Sequence, residues 1–264
     1  IKITTVTTEK TLLTMKKIII VAVCLIIAAL SIYKISGYLL EMLESQNLND
    51  SLTKEAVMKL PQDAESNQSE QESVQETAPI IVDFEVLQTE NKDIIAWLHC
   101  PDTKINYPVA QSEDNSYYLR RLLDGSWNTA GTIFMDYRNS ADFSDRHTVI
   151  YGHNMKNDTM FGSLPEYQSQ EYYEQHPVWY LLTPEQNYKV ELIAAYVTPS
   201  DSAVYGFEKT QEERNALLET ALKKSAFTTD ISVSDEDRLI TFSTCSYEYD
   251  GARFVLVGVL CEID

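Results

Sequence analysis

The 264 residues carry 21 basic against 40 acidic side chains, a net charge of −19, and 44% of them are hydrophobic. Five of the basic and one of the acidic residues fall in the first 40 positions, which leaves 16 basic against 39 acidic, net −23, on the other 224. So acidic a surface repels nucleic acid and anionic lipid, which excludes a nucleic-acid function, and the length allows one ordinary domain with appendages or two small ones.

Residues 1–14 precede Met15 and are read as an upstream extension or disordered start. Lys16 and Lys17 then open an apolar run, IIIVAVCLIIAALSIY, which continues past a snorkelling Lys34 to Leu40. Its 23 residues are about the number a helix needs to cross a bilayer. The two lysines on the short side place that end in the cytoplasm and the acidic part outside. A cleaved signal peptide is the rival reading. The run is longer than an ordinary signal core and no A-x-A site follows Ala29, so 15–40 is read as a cytoplasmic start and transmembrane anchor.

EMLESQNLNDSLTKEAVMKL (41–60) has helical composition and a broken apolar stripe, and reads as a helical stalk. PQDAESNQSEQESVQETAP (61–79) holds one large apolar residue, Val74, too little to offset the entropy of ordering, and reads as a flexible spacer. The globular domain is therefore expected over 80–264. In DFEVLQTENKDIIAWLHC (83–100), Phe84, Leu87, Ile94, Trp97 and Leu98 recur at roughly helical spacing. A short helix is predicted around SEDNSYYLRRLL (112–123), capped by Ser112 or Asp114. Seven β-like runs are separated by turn residues: KINYPVA, AGTIFMDY, HTVIYGH, PVWYLL, NYKVELIAAYVT, RLITFSTC and ARFVLVGVL. QEERNALLETALKKSAF sets Leu217, Leu218, Ala221 and Leu222 on one helical face. The fold class is mainly β, a barrel or sandwich with peripheral helices.

In the last two runs, alternation puts Leu239, Thr241, Ser243 and Cys245 on one face and Arg253, Val255, Val257 and Val259 on another. A symmetric hairpin centred on Tyr249 sets Cys245 directly opposite Arg253, their Cβ atoms about 5 Å apart. A cation beside a thiol favours its reactive thiolate, and an arginine fork can hold an oxyanion forming on an attacked carbonyl. The same residues also read as a small core hydrophobe ending one strand and a solvated edge charge opening the next. Acyl transfer needs a proton carrier as well. His99 and His176 read as loop or surface residues, His147 opens HTVIYGH, and His153 closes it after Gly152, where a side chain can enter a cleft. The other cysteines are Cys24, Cys100 and Cys261; no CxxC pair and no zinc-ligand spacing of histidines occurs, so neither metal nor cofactor is expected.

VIYGHNM with Phe161 downstream, TFSTC, and RFVLVG after a short acidic–aromatic loop together resemble the sortases, specifically class B. The family pattern is a TLxTC-like motif, a YGHN-type histidine segment and an arginine on the next strand; Phe242 stands where leucine is common, both apolar and inward-pointing. The resemblance spans about Phe84 to Leu260. It implies an eight-stranded β-barrel on a membrane anchor, and a transpeptidase of Gram-positive bacteria. Such an enzyme cuts a C-terminal sorting signal on an exported protein and joins it to an amine of a cell-wall precursor or pilin. Carried over by position, Cys245 is the nucleophile, His153 the acid and then base, and Arg253 the oxyanion support, with the thiolate–imidazolium form needed only as a minor population. The resemblance further implies Ser243 and Thr244 as peptide contacts, Asn106 and Tyr107 as groove lining, the insertion from about Pro199 to Phe227 as a wall, and Tyr247, Glu248 and Asp250 as loop residues shaping the site. Two alternatives stay open at this point. A papain-like peptidase shares the thiol chemistry but carries its cysteine early, on a helix N-terminus. A tethered adhesion domain would be indifferent to Cys245→Ala.

Overall fold

The computed structural model describes residues 2–60, 77–207 and 210–263. They fall into two units that meet in sequence at Glu44 and Ser45. The first unit is helix α1 (Lys2–Ala56) as far as Glu44. The stretch expected to be an extension or disordered start is thus helical from Lys2. A helix nucleated in the apolar run gains one hydrogen bond for each residue added, which carries it back through the threonines. From Met15 onward α1 is long and apolar enough to cross a membrane, and its most apolar 18 residues are wholly unburied.

The second unit begins at Ser45, 35 residues before the domain boundary expected at Ile80. Leu48, Leu52 and Ala56 recur every four residues, so they form one stripe, and it packs on Ile94, Trp97 and Ala110. The helix ends at Ala56 and the chain turns extended in β1 (Val57–Lys59), which pairs antiparallel with β2 (Ile80–Val82). The helical stalk expected over 41–60 differs accordingly: it is helical only to Ala56, and from Ser45 onward it is part of the folded unit. Of the spacer read at 61–79, residues 61–76 lie outside the described residues.

Asp83 caps α2 (Phe84–Glu90) by accepting a hydrogen bond from the Val86 amide, and the helix stops at Asn91. Ile94–His99 is a strand, β3, and not a continuation of helix. It is covered on both faces, Ala96 and Leu98 toward one apolar cluster and Ile94 and Trp97 toward another, which erases the period-two signal. His99 accordingly ends a strand and does not lie in a loop.

The remaining strands are β4 (Asn106–Ala110), β5 (Ile133–Met135), β6 (His147–Tyr151), β7 (Val178–Leu182), β8 (Asn187–Pro199), β9 (Arg238–Cys245) and β10 (Ala252–Ile263), one for each predicted run. With β3 they close an eight-stranded barrel in the order β10-β8-β7-β3-β4-β5-β6-β9. Two of the seams, β4–β5 and β6–β9, are parallel. A barrel of eight strands has an interior that side chains can fill. Here Phe161, Trp179, Ile240, Phe242, Phe254 and Leu256 fill it, and Phe242 packs edge-on to Phe161 and tilted on Trp179. Two more helices lie outside, α3 (Gln170–Gln175) and α4 (Gln211–Lys224). Thr210 and Glu213 close a capping box at the start of α4, and its Leu217 and Ala221 cover Val255, Val257 and Leu239 on the barrel's outer face.

The helix predicted at 112–123 does not form. Asp114 accepts hydrogen bonds from the Ser116 and Tyr117 amides at 2.7 and 2.8 Å, a local turn that competes with a helix. Downstream, the Tyr118 and Arg120 carbonyls go to the Thr132 and Asn128 amides rather than to residues four ahead. The segment is thereby stitched along the 126–132 loop, and this exposes the Leu119 carbonyl to a different use.

Candidate active site

Two strand registers decide where the chemistry falls. Between β9 and β10, Arg253 is paired directly with Cys245, and the match continues through Phe254 with Thr244 to Leu260 with Arg238. Between β6 and β9 the pairing is parallel at a constant offset of 92 residues, from His147 against Leu239 to Tyr151 against Ser243. The same offset sets position 153 level with 245. Just beyond the end of β6 the chain is still held to β9: the Gly152 amide donates to the Ser243 carbonyl at 3.1 Å, and Thr244 Oγ1 to the Gly152 carbonyl at 2.8 Å. Asn154 Nδ2 donates to the carbonyl of Cys245 itself at 2.8 Å. Histidine, cysteine and arginine thus occupy one row across three neighbouring chain segments, which lie about 4.8 Å apart in a sheet.

All three line a single groove of about 310 Å³, together with Asn115, Leu119, Tyr151, Ser200, Tyr205, Ser243 and Thr244. His153 Nε2 lies 2.7 Å from the Leu119 carbonyl, which can only accept, so Nε2 carries the proton and Nδ1 is the nitrogen left for exchange. Burial holds the His153 pKa below the usual histidine value; the Arg120 charge pushes it further down, and the Leu119 carbonyl partly opposes them. Cys245 is half-buried and free of any disulfide. Arg253 donates Nη1 to the Ala252 carbonyl at 2.9 Å, which holds one end of the guanidinium and leaves other N–H groups for a ligand oxygen. Tyr205 Oη and Ser243 Oγ share a hydrogen bond of 2.8 Å, and burial pushes the phenol up to about 12, so it stays neutral.

Gly152 is needed for a steric reason. A Cβ there would stand 2.6 Å from the ring of the fully buried Phe161, whose amide is bonded to the His153 carbonyl at 3.0 Å. Since Phe161 cannot retreat from the close-packed core, Gly152→Ala is expected to displace His153. Turnover should fall about 100-fold with Cys245 intact, measured as peptide cleavage beside titration of the free thiol.

Ser243 and Thr244 lie in the groove, although both are buried and the Thr244 hydroxyl is spent on Gly152. Asn106 and Tyr107 do not. Asn106 accepts from Trp97 Nε1 at 2.9 Å, and its carbonyl from Asn49 Nδ2 at 3.1 Å; Tyr107 Oη accepts from the Met160 amide at 3.2 Å. Both residues serve the junction with the end of α1, because β4 turns that edge toward the helix. Of the insertion from Pro199 to Phe227, Ser200 and Tyr205 form a wall of the groove while α4 packs elsewhere. Tyr247, Glu248 and Asp250 are exposed and do not line it. Asn115, Leu119, Tyr151 and Tyr205 escaped the sequence reading. Tyr151 was within reach, since it lies two residues before His153 in an extended run and so shares its face. Leu119 acts through its carbonyl, which leaves no side-chain signal.

The sortase domain family matches residues 98–261. Sortase B of Listeria monocytogenes is 40% identical over 180 residues, 66% of this chain and 72% of that protein. Sortase B of Staphylococcus aureus is 34% identical over 184 residues, 68% and 75% of the two chains. Among solved structures, sortase B from B. anthracis in complex with AAEK1 superposes with a TM-score of 0.68 at 30% identity, covering 85% of this chain and 99% of that one. A 2.0 Å S. aureus sortase B gives 0.65 at 30% identity, with 69% and 87% covered. Sequence, barrel order and relatives agree, and the chain belongs to the class B branch of the sortase family of cysteine transpeptidases.

Proposed function

We propose that this transpeptidase is anchored by α1 with its barrel outside the membrane, that it cleaves the C-terminal sorting signal of exported proteins, and that it joins them to an amine of a cell-wall precursor or pilin. The observation that carries the assignment of roles is the row of His153, Cys245 and Arg253 across adjacent chain segments inside one groove. The Cys245 thiolate attacks the scissile carbonyl carbon, and the electron pair of the C=O bond moves onto oxygen, where Arg253 meets the negative charge. Imidazolium His153 gives its Nδ1 proton to the leaving amine nitrogen as the C–N bond breaks, leaving a thioester on Cys245. The acceptor amine then attacks that thioester and passes a proton to neutral His153; the C–S bond breaks, and both thiolate and imidazolium return. Burial, which lowers the His153 pKa, disfavours the imidazolium form that this step uses.

Two relatives support the choice of partners: one solved structure is a S. aureus sortase B–substrate complex and another is a sortase B complexed with triglycine, a peptide with a free amine. Lys16 and Lys17 ahead of the apolar helix support the orientation. The test is to incubate the full chain in detergent with a library of quenched sorting peptides, with and without triglycine. The expected result is a product carrying triglycine and an acyl adduct on the peptide that contains Cys245. Cleavage without incorporation of the amine would replace transfer by hydrolysis, and no cleavage by the folded chain would overturn the substrate assignment.

A further inference from the structure

The segment FMDYRN (134–139) holds a charge that the reaction does not use. Asp136 is 1% exposed, so its carboxylate is closed off from solvent. Five donors converge on it. Arg138 supplies its amide at 3.1 Å, Nε at 2.8 Å and Nη2 at 2.8 Å; Asn115 Nδ2 and Tyr151 Oη each arrive at 2.9 Å. Burial alone would raise its pKa, but these donors, the Arg138 fork above all, hold it below the ordinary carboxylate value. An ion pair whose carboxylate is buried is a poor source of net stability, because desolvation of that charge offsets much of the attraction. What distinguishes it is where the donors lead.

Asn115 and Tyr151 both line the groove. Asn115 is held in turn through its Oδ1, which accepts from the Tyr137 amide at 3.0 Å. Arg138 reaches the third wall, donating Nη2 to the Tyr205 carbonyl at 3.1 Å. The Tyr205 ring stacks on Tyr151 with centroids 6.1 Å apart and planes at 22°, and its hydroxyl meets Ser243, the residue paired with Tyr151. One carboxylate and one guanidinium therefore tie together the 115 loop, the end of β6 and the 203–205 turn. These are three separate pieces of chain with no strand pairing to one another at that point.

We infer that Asp136, acting with Arg138, is a positioning residue that sets the walls of the acyl-donor groove and so governs how well the donor peptide is bound and aligned on Cys245. The inference rests on the groove being the site of the donor peptide. Neither side chain lines the groove, so both act through Asn115, Tyr151 and Tyr205.

The test compares native chain, Asp136→Asn and Arg138→Gln, each as the full chain, in two assays. One is cleavage of the peptide that the native chain selects from the quenched library. The other is alkylation of Cys245 by iodoacetamide, which is small enough to need no groove. Both variants are expected to lose about 10- to 100-fold in kcat/KM, chiefly through KM, with alkylation within about twofold of native. The double variant should lose little more than Asp136→Asn alone, because both changes break one network. Unchanged kcat/KM in a folded variant would overturn the inference, as would an equal loss in both assays, which marks general distortion of the site. Should Asp136→Asn fail to fold, Arg138→Gln carries the decision by the same criteria, since it leaves the carboxylate its Asn115 and Tyr151 donors. A native chain that selects no peptide is a different result: it removes the donor-groove reading itself, and the inference with it.

Discussion

Cys245→Ala is expected to reduce peptide turnover to background, a loss of about 10,000-fold or more, with the melting temperature close to native. The size follows from covalent catalysis: without the thiol no acyl intermediate forms, and the remaining groups act only as a unit. No other cysteine of the barrel unit can take over. Cys100 is buried, and burial pushes its thiol up to about 11. Cys261 lies eight residues along β10 from Arg253, about 27 Å away in an extended strand. Stability should survive, since Cys245 is half-buried at the end of β9 and its backbone, not its sulfur, carries the bond from Asn154. Turnover by mass spectrometry and a thermal melt on the same sample check both halves. Activity above about one per cent of native would remove Cys245 from the role.

That the cysteine could be singled out at all depended on a short-range regularity. An antiparallel hairpin pairs residues symmetrically about its turn, so Cys245 opposite Arg253 followed from counting, and the register is as counted. The seven runs were legible because each is rich in β-branched or aromatic residues and is bracketed by turn residues. β3 was not, because Ile94, Trp97 and Leu98 fit a helical spacing by coincidence, and cover on both faces left no alternation to contradict it. The junction between α1 and the barrel was hidden differently. Leu48, Leu52 and Ala56 form a stripe only one residue wide, and its partner is some 40 residues away in sequence. Asn106 and Tyr107 were assigned to the groove by resemblance, with no local pattern behind them, and they face the helix instead. The supports of the site follow the same rule. The parallel offset that levels His153 with Cys245 spans 92 residues, and Asp136 meets Asn115 and Tyr151, 21 and 15 residues away, only once the chain is folded. Nothing periodic in a sequence records such contacts.

Arg253 gives the second large effect and separates charge from shape. Arg253→Ala removes the group paired with Cys245, and on the roles proposed above charge developing on the attacked oxygen loses its partner. Loss of one preorganised oxyanion donor costs on the order of 100- to 1,000-fold in kcat, and that is the expected result, with KM changed far less. Arg253→Lys keeps the positive charge but replaces a planar fork with a point donor on a flexible stem. It also loses the guanidinium's Nη1 bond to the Ala252 carbonyl, which holds one end of the native guanidinium in place. Lysine should therefore recover no more than about tenfold over alanine. A neighbouring reporter is available: the Arg253 charge acts to lower the Tyr205 pKa against its burial. The Tyr205 phenol should titrate higher in Arg253→Ala than in the native chain, followed by the ultraviolet absorbance of the ionised ring with Tyr205→Phe as the blank. Full activity in Arg253→Lys would show that charge alone suffices, and a loss confined to KM would make Arg253 a peptide anchor in place of an oxyanion partner.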